Sequence, residues 1–222
     1  MQIIPAIIGK NIEEIKEKTG LVRGLVSWVQ IDIMDGVFTP QKSWPFSGGD
    51  WKELESIDDI RRDDIKVEFH LMVEDPEPLL DKLIEYGADR ILVHCESKAD
   101  IRKIQSILEY EEIELGVSLK METDFNSISE NIDIFDEVQF MSIGEIGSYG
   151  FGFDDRVIEK IKKFKEEFPG VLVSVDGGVN ENNILKLKEA GVENFAVGSA
   201  IFGEGKVPAV EIEKLRGLTN LG

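Results

Sequence analysis

Val29-Gln30-Ile31-Asp32-Ile33-Met34-Asp35-Gly36 is a strongly β-forming run that ends in a turn signal. Successive side chains of a strand point to opposite faces, so Gln30, Asp32 and Met34 share one face while Val29, Ile31 and Ile33 share the other. The apolar set is fit for burial against helices. The polar set places a carboxylate inside a strand, where an unpaired charge is expensive and is usually paired, metal-bound or catalytic. The break at Asp35-Gly36 puts Asp32 and Met34 close to the C-terminal end of that strand.

Outward from this stretch, short β-rich runs alternate with longer amphipathic ones. The pattern predicts strands at Gln2–Ile8, Leu25–Met34, Ile65–Met72, Arg90–Cys95, Glu114–Leu119, Glu137–Ile143, Val171–Val175 and Asn194–Val197. Helices are predicted at Asn11–Glu17, from about Pro76 with Asp75 as a cap, at Lys98–Tyr110, more weakly near Asp124–Glu130, at Asp154–Phe168, at Glu181–Ala190 and near Ala209–Leu218. Eight strand–helix alternations without a domain-sized linker describe an α/β protein, a single (β/α)8 TIM barrel spanning 1–222. A doubly wound open sheet is the alternative, but no G-x-G-x-x-G follows the first strand. The connection from Val37 to about Ile60 is long, and its Trp44 and Trp51 argue for a lid over a disordered insert. The run Asp58–Asp64 reads as a solvated charged face.

The net charge of −19 and pI near 4.5 argue against a nucleic-acid surface and oblige any anionic substrate to be held by local donors. No run approaches a membrane span, and Met1-Gln2-Ile3 opens on strand-like sequence where a signal peptide would differ. The lone Cys95 excludes an internal disulfide framework and fits a reducing compartment, so a cytoplasmic location is expected.

In such barrels the active site lies at the C-terminal ends of the strands. There the sequence places Gln30 and Asp32, His70 and Met72, His94, Met141-Ser142 and Asp176-Gly177-Gly178. Asp32, His70 and Asp176, brought together across a barrel mouth, would form a two-carboxylate, one-imidazole metal site, or serve acid–base work on two faces of a substrate. Each alone reads more simply as structural. Met34, Met72 and Met141 read either as core filler or as an apolar, polarizable pocket floor. The turns at Asp176–Asn180 and at Gly198-Ser199-Ala200-Ile201-Phe202 sit where such barrels bind phosphate, through backbone N–H groups of Gly177, Gly178, Gly198 and Ser199.

These residues resemble the ribulose-phosphate 3-epimerase family over nearly the whole chain. The resemblance is carried by Ile31–Gly36 with Phe38 and Pro40, His70-Leu71-Met72, Val93-His94 with Glu96, Leu115-Gly116-Val117, Met141-Ser142, Val175–Gly178 and Gly198–Phe202. It implies a metal-assisted proton transfer at C3 of a ketopentose phosphate through a 2,3-enediolate. Asp32 and Asp176 would be the acid–base pair and also metal ligands, with His70 a third ligand and Gln30 at the position of a fourth. The methionines would line the enediolate, and the glycine turns, with Gly147 and Gly150 of the sixth loop, would hold the phosphorylated sugar. The implied cofactor is a divalent cation (zinc, iron, manganese or cobalt). The implied partners are a small phosphorylated sugar and further copies of the chain as a homo-oligomer, with no nucleic acid and no membrane.

Several positions depart from the family pattern. Gln30 stands where a histidine ligand is usual, and a carboxamide oxygen is the poorer ligand for zinc or iron. Pro5-Ala6-Ile7-Ile8-Gly9 lacks the usual serines, Gly144–Phe151 replaces the usual sixth loop and brings in Glu145, and Lys120-Met121 replaces Asn-Pro. Lys120 reads either as a solvated charge or as a compensating cation over the pocket. These departures give a second reading, a non-catalytic phosphosugar-binding barrel. A third, an aldolase or decarboxylase, is weaker because no lysine lies within a strand core and the Asp-x-Lys pattern is absent.

Overall fold

Eight parallel strands close into one barrel in neighbour order, β1 pairing with both β2 and β8, in the computed structural model. It describes residues 1–53, 60, 65–144, 146–147 and 152–219. The strands are β1 (Gln2–Ile7), β2 (Trp28–Met34), β3 (Lys66–Met72), β4 (Arg90–His94), β5 (Glu114–Leu119), β6 (Glu137–Met141), β7 (Val173–Asp176) and β8 (Asn194–Val197). The helices are α1 (Ile12–Val22), α2 (Leu80–Glu85), α3 (Ile101–Tyr110), α4 (Arg156–Glu167), α5 (Ile184–Glu189), α6 (Ser199–Phe202) and α7 (Pro208–Thr219). The expected (β/α)8 TIM barrel is the observed fold.

The period-two reading of β2 holds along its length. Val29, Ile31 and Ile33 face outward into the core shared with Ile12 and Ile15 of α1, whereas Gln30, Asp32 and Met34 line the interior. Asn11 caps α1 by accepting from the Glu14 N–H at 2.9 Å, and Asp100 caps α3 by accepting from Lys103 N–H at 3.1 Å. Helix α4 buries Val157, Ile161 and Phe164, the last packing on Phe140 with ring centroids 5.2 Å apart.

Two helical predictions are met in a tighter form. Beyond β3 the chain first makes a 3-10 turn, Glu77–Leu79, with Pro76 at its start, and Asp75 only accepts from Glu77 N–H at 3.3 Å. Beyond β5 the weak helix is a 3-10 helix, Phe125–Ile134, opened by Asp124. Ser127 and Ser129 there donate to carbonyls three residues back, at 2.7 and 2.9 Å, so polar side chains compete for acceptors that an α-helix would need.

The lower barrel interior is ionic. Arg90 donates to Glu68 at 2.8 Å, Glu137 at 2.7 Å and Glu114 at 2.7 Å, and its guanidinium lies 4.3 Å from the Trp28 ring centre. Burial, with the charge of Glu137 beside it, pushes Glu68 up to about 8, and burial likewise raises Glu137.

The long connection after β2 is structured in its described part, residues 37–53. Trp44 is fully buried, its indole N–H donates to Glu53 at 2.7 Å, and its ring meets Trp51 edge-on at 5.3 Å. Ser43 donates to the Asp32 carbonyl at 2.6 Å and accepts from Met34 N–H at 2.9 Å, which fixes the end of β2. Asp35 accepts from Val37, Phe38 and Glu74 N–H groups at 2.7, 2.8 and 2.7 Å, so the turn is anchored to the β3 end. Residues 54–59 and 61–64, which hold most of the charged run, lie outside the described residues.

Candidate active site at the barrel mouth

Parallel register places Asp32 opposite His70 and Met34 opposite Met72, while Asp176 ends β7 beside Met141 of β6. The closed barrel then brings the three polar side chains together. His70 Nδ1 lies 3.3 Å from Asp32 Oδ1 and 3.4 Å from Asp176 Oδ2, and the three donor atoms lie within 4.8 Å of one another. All three residues are buried. Burial raises the Asp32 carboxyl above the usual carboxylate range, reinforced by the charge of Asp176 and opposed by the hydrogen bond to His70. Burial alone would lower His70; hydrogen bonds to Asp176 and Asp32 outweigh it and push the imidazole up to about 9.

Gln30 completes the cluster. Its Nε2 donates to Asp32 Oδ1 at 2.7 Å and to Asp176 Oδ2 at 2.8 Å, and stands 3.4 Å from His70 Nδ1. Its Oε1 is buried and accepts no hydrogen bond. This arrangement fits a divalent cation. Ligands at about 2.1 Å around a tetrahedral metal stand roughly 3.4 Å apart, close to the two imidazole–carboxylate separations. A half-turn of the Gln30 carboxamide would exchange its two ends and bring the partnerless Oε1 to the same centre as a neutral fourth donor. Two carboxylates, one imidazole and one amide oxygen make a donor set suited to first-row divalent ions.

Behind the cluster, His70 Nε2 lies 3.0 Å from His94 Nε2, and His94 Nδ1 lies 3.0 Å from Glu96 Oε2. Burial lowers His94 to about 4, so that ring is neutral at pH 7. Burial would raise Glu96, but hydrogen bonds from His94, Thr123 and the Lys120 N–H bring it down to about 2. Gln139 reaches the His70 ring nitrogens at 3.4 Å.

Met34, Met72 and Met141 form a separate apolar cluster at the mouth with Ile143 and Ile146, and Ile8 and Phe38 pack against it. The cluster is separate from the core under the helices. Lys120 Nζ lies 3.8 Å from the Phe38 ring centre, and that ring sits 4.9 Å from His94. Lys120 thus stands at the mouth, as the compensating-cation alternative requires.

The two glycine turns also lie here. Gly177 and Gly178 have φ of +109° and +66°, a region that L side chains rarely adopt, and a Cβ on Gly177 would press into Ile143 at 2.8 Å. The turn is held from both sides. Ser142 donates to the Asp176 and Gly177 carbonyls, and the Asn180 and Asn183 amides donate to the Gly178 carbonyl at 2.8 and 2.9 Å. Gly198 precedes the four-residue α6, and Ser199 begins it exposed. Gly147 lies against the site: with φ +84°, its Cβ would meet Met34 Sδ at 2.5 Å. Gly150 and Glu145 lie outside the described residues.

Sequence reasoning missed Gln139, Asn183 and the Arg90 network. Gln139 and Arg90 meet partners distant in the chain, whereas Asn183 reaches back only to the Gly178 carbonyl and carries no motif of its own. Glu96 was visible only through the resemblance.

A model of the ribulose-phosphate 3 epimerase family matches residues 2–202. The ribulose-phosphate 3-epimerase of Aquifex aeolicus (strain VF5) is 32% identical over 202 residues, covering 89% of this chain and 86% of that protein. The chloroplastic ribulose-5-phosphate-3-epimerase of Arabidopsis thaliana is 29% identical, covering 90% of this chain and 71% of that one. Among solved structures, a 3-hexulose-6-phosphate synthase matches with a TM-score of 0.72 at 22% identity, covering 98% of this chain and 99% of that one, a likeness of fold. The family match extends over the barrel and the mouth residues alike, and this chain belongs to the ribulose-phosphate 3 epimerase family.

Proposed function

We propose that the chain is a sugar-phosphate 3-epimerase that interconverts D-ribulose 5-phosphate and D-xylulose 5-phosphate, with Asp32 and Asp176 as its two bases. The observation that carries this reading is the buried triangle of Asp32, His70 and Asp176 at the mouth of a family barrel. One carboxylate removes the C3 proton, and the C3–H electron pair becomes the C2=C3 bond of an enediolate while negative charge moves to O2. The other carboxylic acid delivers its proton to the opposite face of C3. A divalent cation held by Asp32, His70, Asp176 and the Gln30 carboxamide oxygen would, when bound, supply the charge that stabilises the enediolate oxygens. Met34, Met72 and Met141 exclude water from the planar carbon centre. The backbone N–H groups of Gly177, Gly178, Gly198 and Ser199, with Gly147 and Gly150 of the sixth loop, are assigned to the phosphorylated end. Such donors bind an anion without adding positive side chains to a chain of net charge −19.

The test is turnover of D-ribulose 5-phosphate by the purified protein loaded in turn with zinc, iron, manganese and cobalt. Xylulose 5-phosphate should form, and Asp32→Asn and Asp176→Asn should each lower kcat by about a thousandfold or more. Tight binding of the sugar phosphate without turnover under every metal would replace this reading with the phosphosugar-binding barrel.

A further inference from the structure

Glu96, His94 and His70 form a line of hydrogen bonds whose direction follows from chemistry. A carboxylate only accepts, so the 3.0 Å contact between Glu96 Oε2 and His94 Nδ1 puts the His94 proton on Nδ1. A neutral His94 then has an acceptor lone pair at Nε2. That atom faces His70 Nε2 at 3.0 Å, so His70 Nε2 must be the donor. The ring planes differ by 26° and the centroids stand 5.1 Å apart, so the nitrogens meet nearly edge to edge, as an in-plane bond requires. When Nδ1 gives up its proton to a bound cation, the proton that remains is the one held on Nε2, and the Nδ1 lone pair points toward Asp32 and Asp176.

We infer that His94 and Glu96 are positioning residues that set the ring orientation and tautomer of His70, so that Nδ1 is the ligating atom. The inference rests on the proposed metal site. Glu96 is itself held in place: its Oε1 accepts the Lys120 N–H at 2.7 Å and the Thr123 hydroxyl, leaving Oε2 for His94. Phe38 packs on the other side of His94 at 4.9 Å. The ring is therefore clamped between the β4 end, the loop after β5 and the loop after β2.

The chain contains two histidines, so nitrogen-15 spectra of its imidazoles resolve to two assignable rings. The decisive variant is Glu96→Gln. Because the Lys120 N–H and the Thr123 hydroxyl claim one side-chain oxygen, the new amide N–H would face His94 Nδ1. The His94 proton would move to Nε2, where it opposes the His70 donor. In the wild type, with or without added zinc, His94 should show a protonated Nδ1 and an unprotonated Nε2. In Glu96→Gln that pattern should reverse, and zinc affinity, read by chelator competition, should fall by roughly 10- to 100-fold. His94→Gln, whose amide oxygen can still accept from His70, should lose less affinity than His94→Leu. An unchanged His94 pattern and a zinc affinity within twofold of wild type in folded Glu96→Gln would overturn the inference. A wild type that shows the expected tautomers but takes up no metal would refute the metal site, while the orientation of His70 by His94 would stand.

Discussion

Gln30 Nε2 donates to Asp176 Oδ2 at 2.8 Å, a bond from the second strand to the seventh across the whole barrel mouth. The same nitrogen donates to Asp32 at 2.7 Å, so one neutral amide bridges the two carboxylates of the proposed acid–base pair. Hydrogen bonds to charged groups are worth more than neutral ones, and here both carboxylates are buried.

Replacing Gln30 by Leu removes both bonds and leaves two buried carboxylates without that donor. Without a cation the variant should unfold about 2–3 kcal/mol more easily, measured by urea titration. Gln30→His should do the reverse for metal: an imidazole is the better ligand for zinc, and chelator competition should show affinity rising at least tenfold. Equal zinc affinity in the wild type and Gln30→His would show that this position does not face the cation.

Gly177→Ala meets two obstacles at once, a φ of +109° and the Ile143 side chain at 2.8 Å from the new Cβ. The backbone turn should distort at a cost of about 1–3 kcal/mol. If that turn holds the phosphate, KM for the sugar phosphate should rise more than kcat falls. Steady-state kinetics of the variant decides this, and a pure loss of kcat would move the phosphate elsewhere.

Arg90→Met tests the interior charge network. It leaves Glu68 and Glu137 buried without their cation and removes the contact with Trp28. Loss of one partner in a buried ion pair costs about 3–5 kcal/mol, which thermal or denaturant unfolding would register. A change below about 1 kcal/mol would mean that both glutamates are accommodated as neutral acids.

How far the sequence could be read follows from the range of the interactions involved. The β2 alternation is local, so it was legible, and with it the two faces that Asp32 and Ile33 occupy. The convergence of Asp32, His70 and Asp176 was inferable because a barrel fixes where strand ends go. The Arg90 network was not legible: Glu68 and Glu137 look like surface charges in their own strands, and their shared cation lies 22 and 47 residues away. The 3-10 helix at Phe125–Ile134 escaped for a different reason, since its serine side chains compete locally with helical bonding. The role of Gln30 as a bridge appears only when β7 arrives beside β2.

Burial pushes the Cys95 thiol up to about 12 from an ordinary value of 9, with the charge of Glu96 acting in the same sense. The nucleophilic thiolate falls about tenfold for each pH unit below the folded-state value, so between pH 7 and 10 the native thiol is almost entirely protonated. Iodoacetamide labelling at pH 8 should therefore run on the order of a thousandfold slower in the native protein than in the urea-unfolded chain. The native rate should keep climbing past pH 10, where the unfolded chain has levelled off. A native rate that plateaus near pH 9 would contradict the burial account.

The central claim is that a proton leaves and returns at C3 between Asp32 and Asp176. Proton NMR of D-ribulose 5-phosphate in deuterated water, with the metal-loaded protein, reads that event directly. The C3 proton signal should disappear as deuterium enters at that carbon alone, with xylulose 5-phosphate appearing alongside, and its formation should slow by about a thousandfold or more with Asp176→Asn. Retention of the C3 proton in every pentulose and hexulose phosphate tried, in a folded protein shown to hold metal, would contradict the claim.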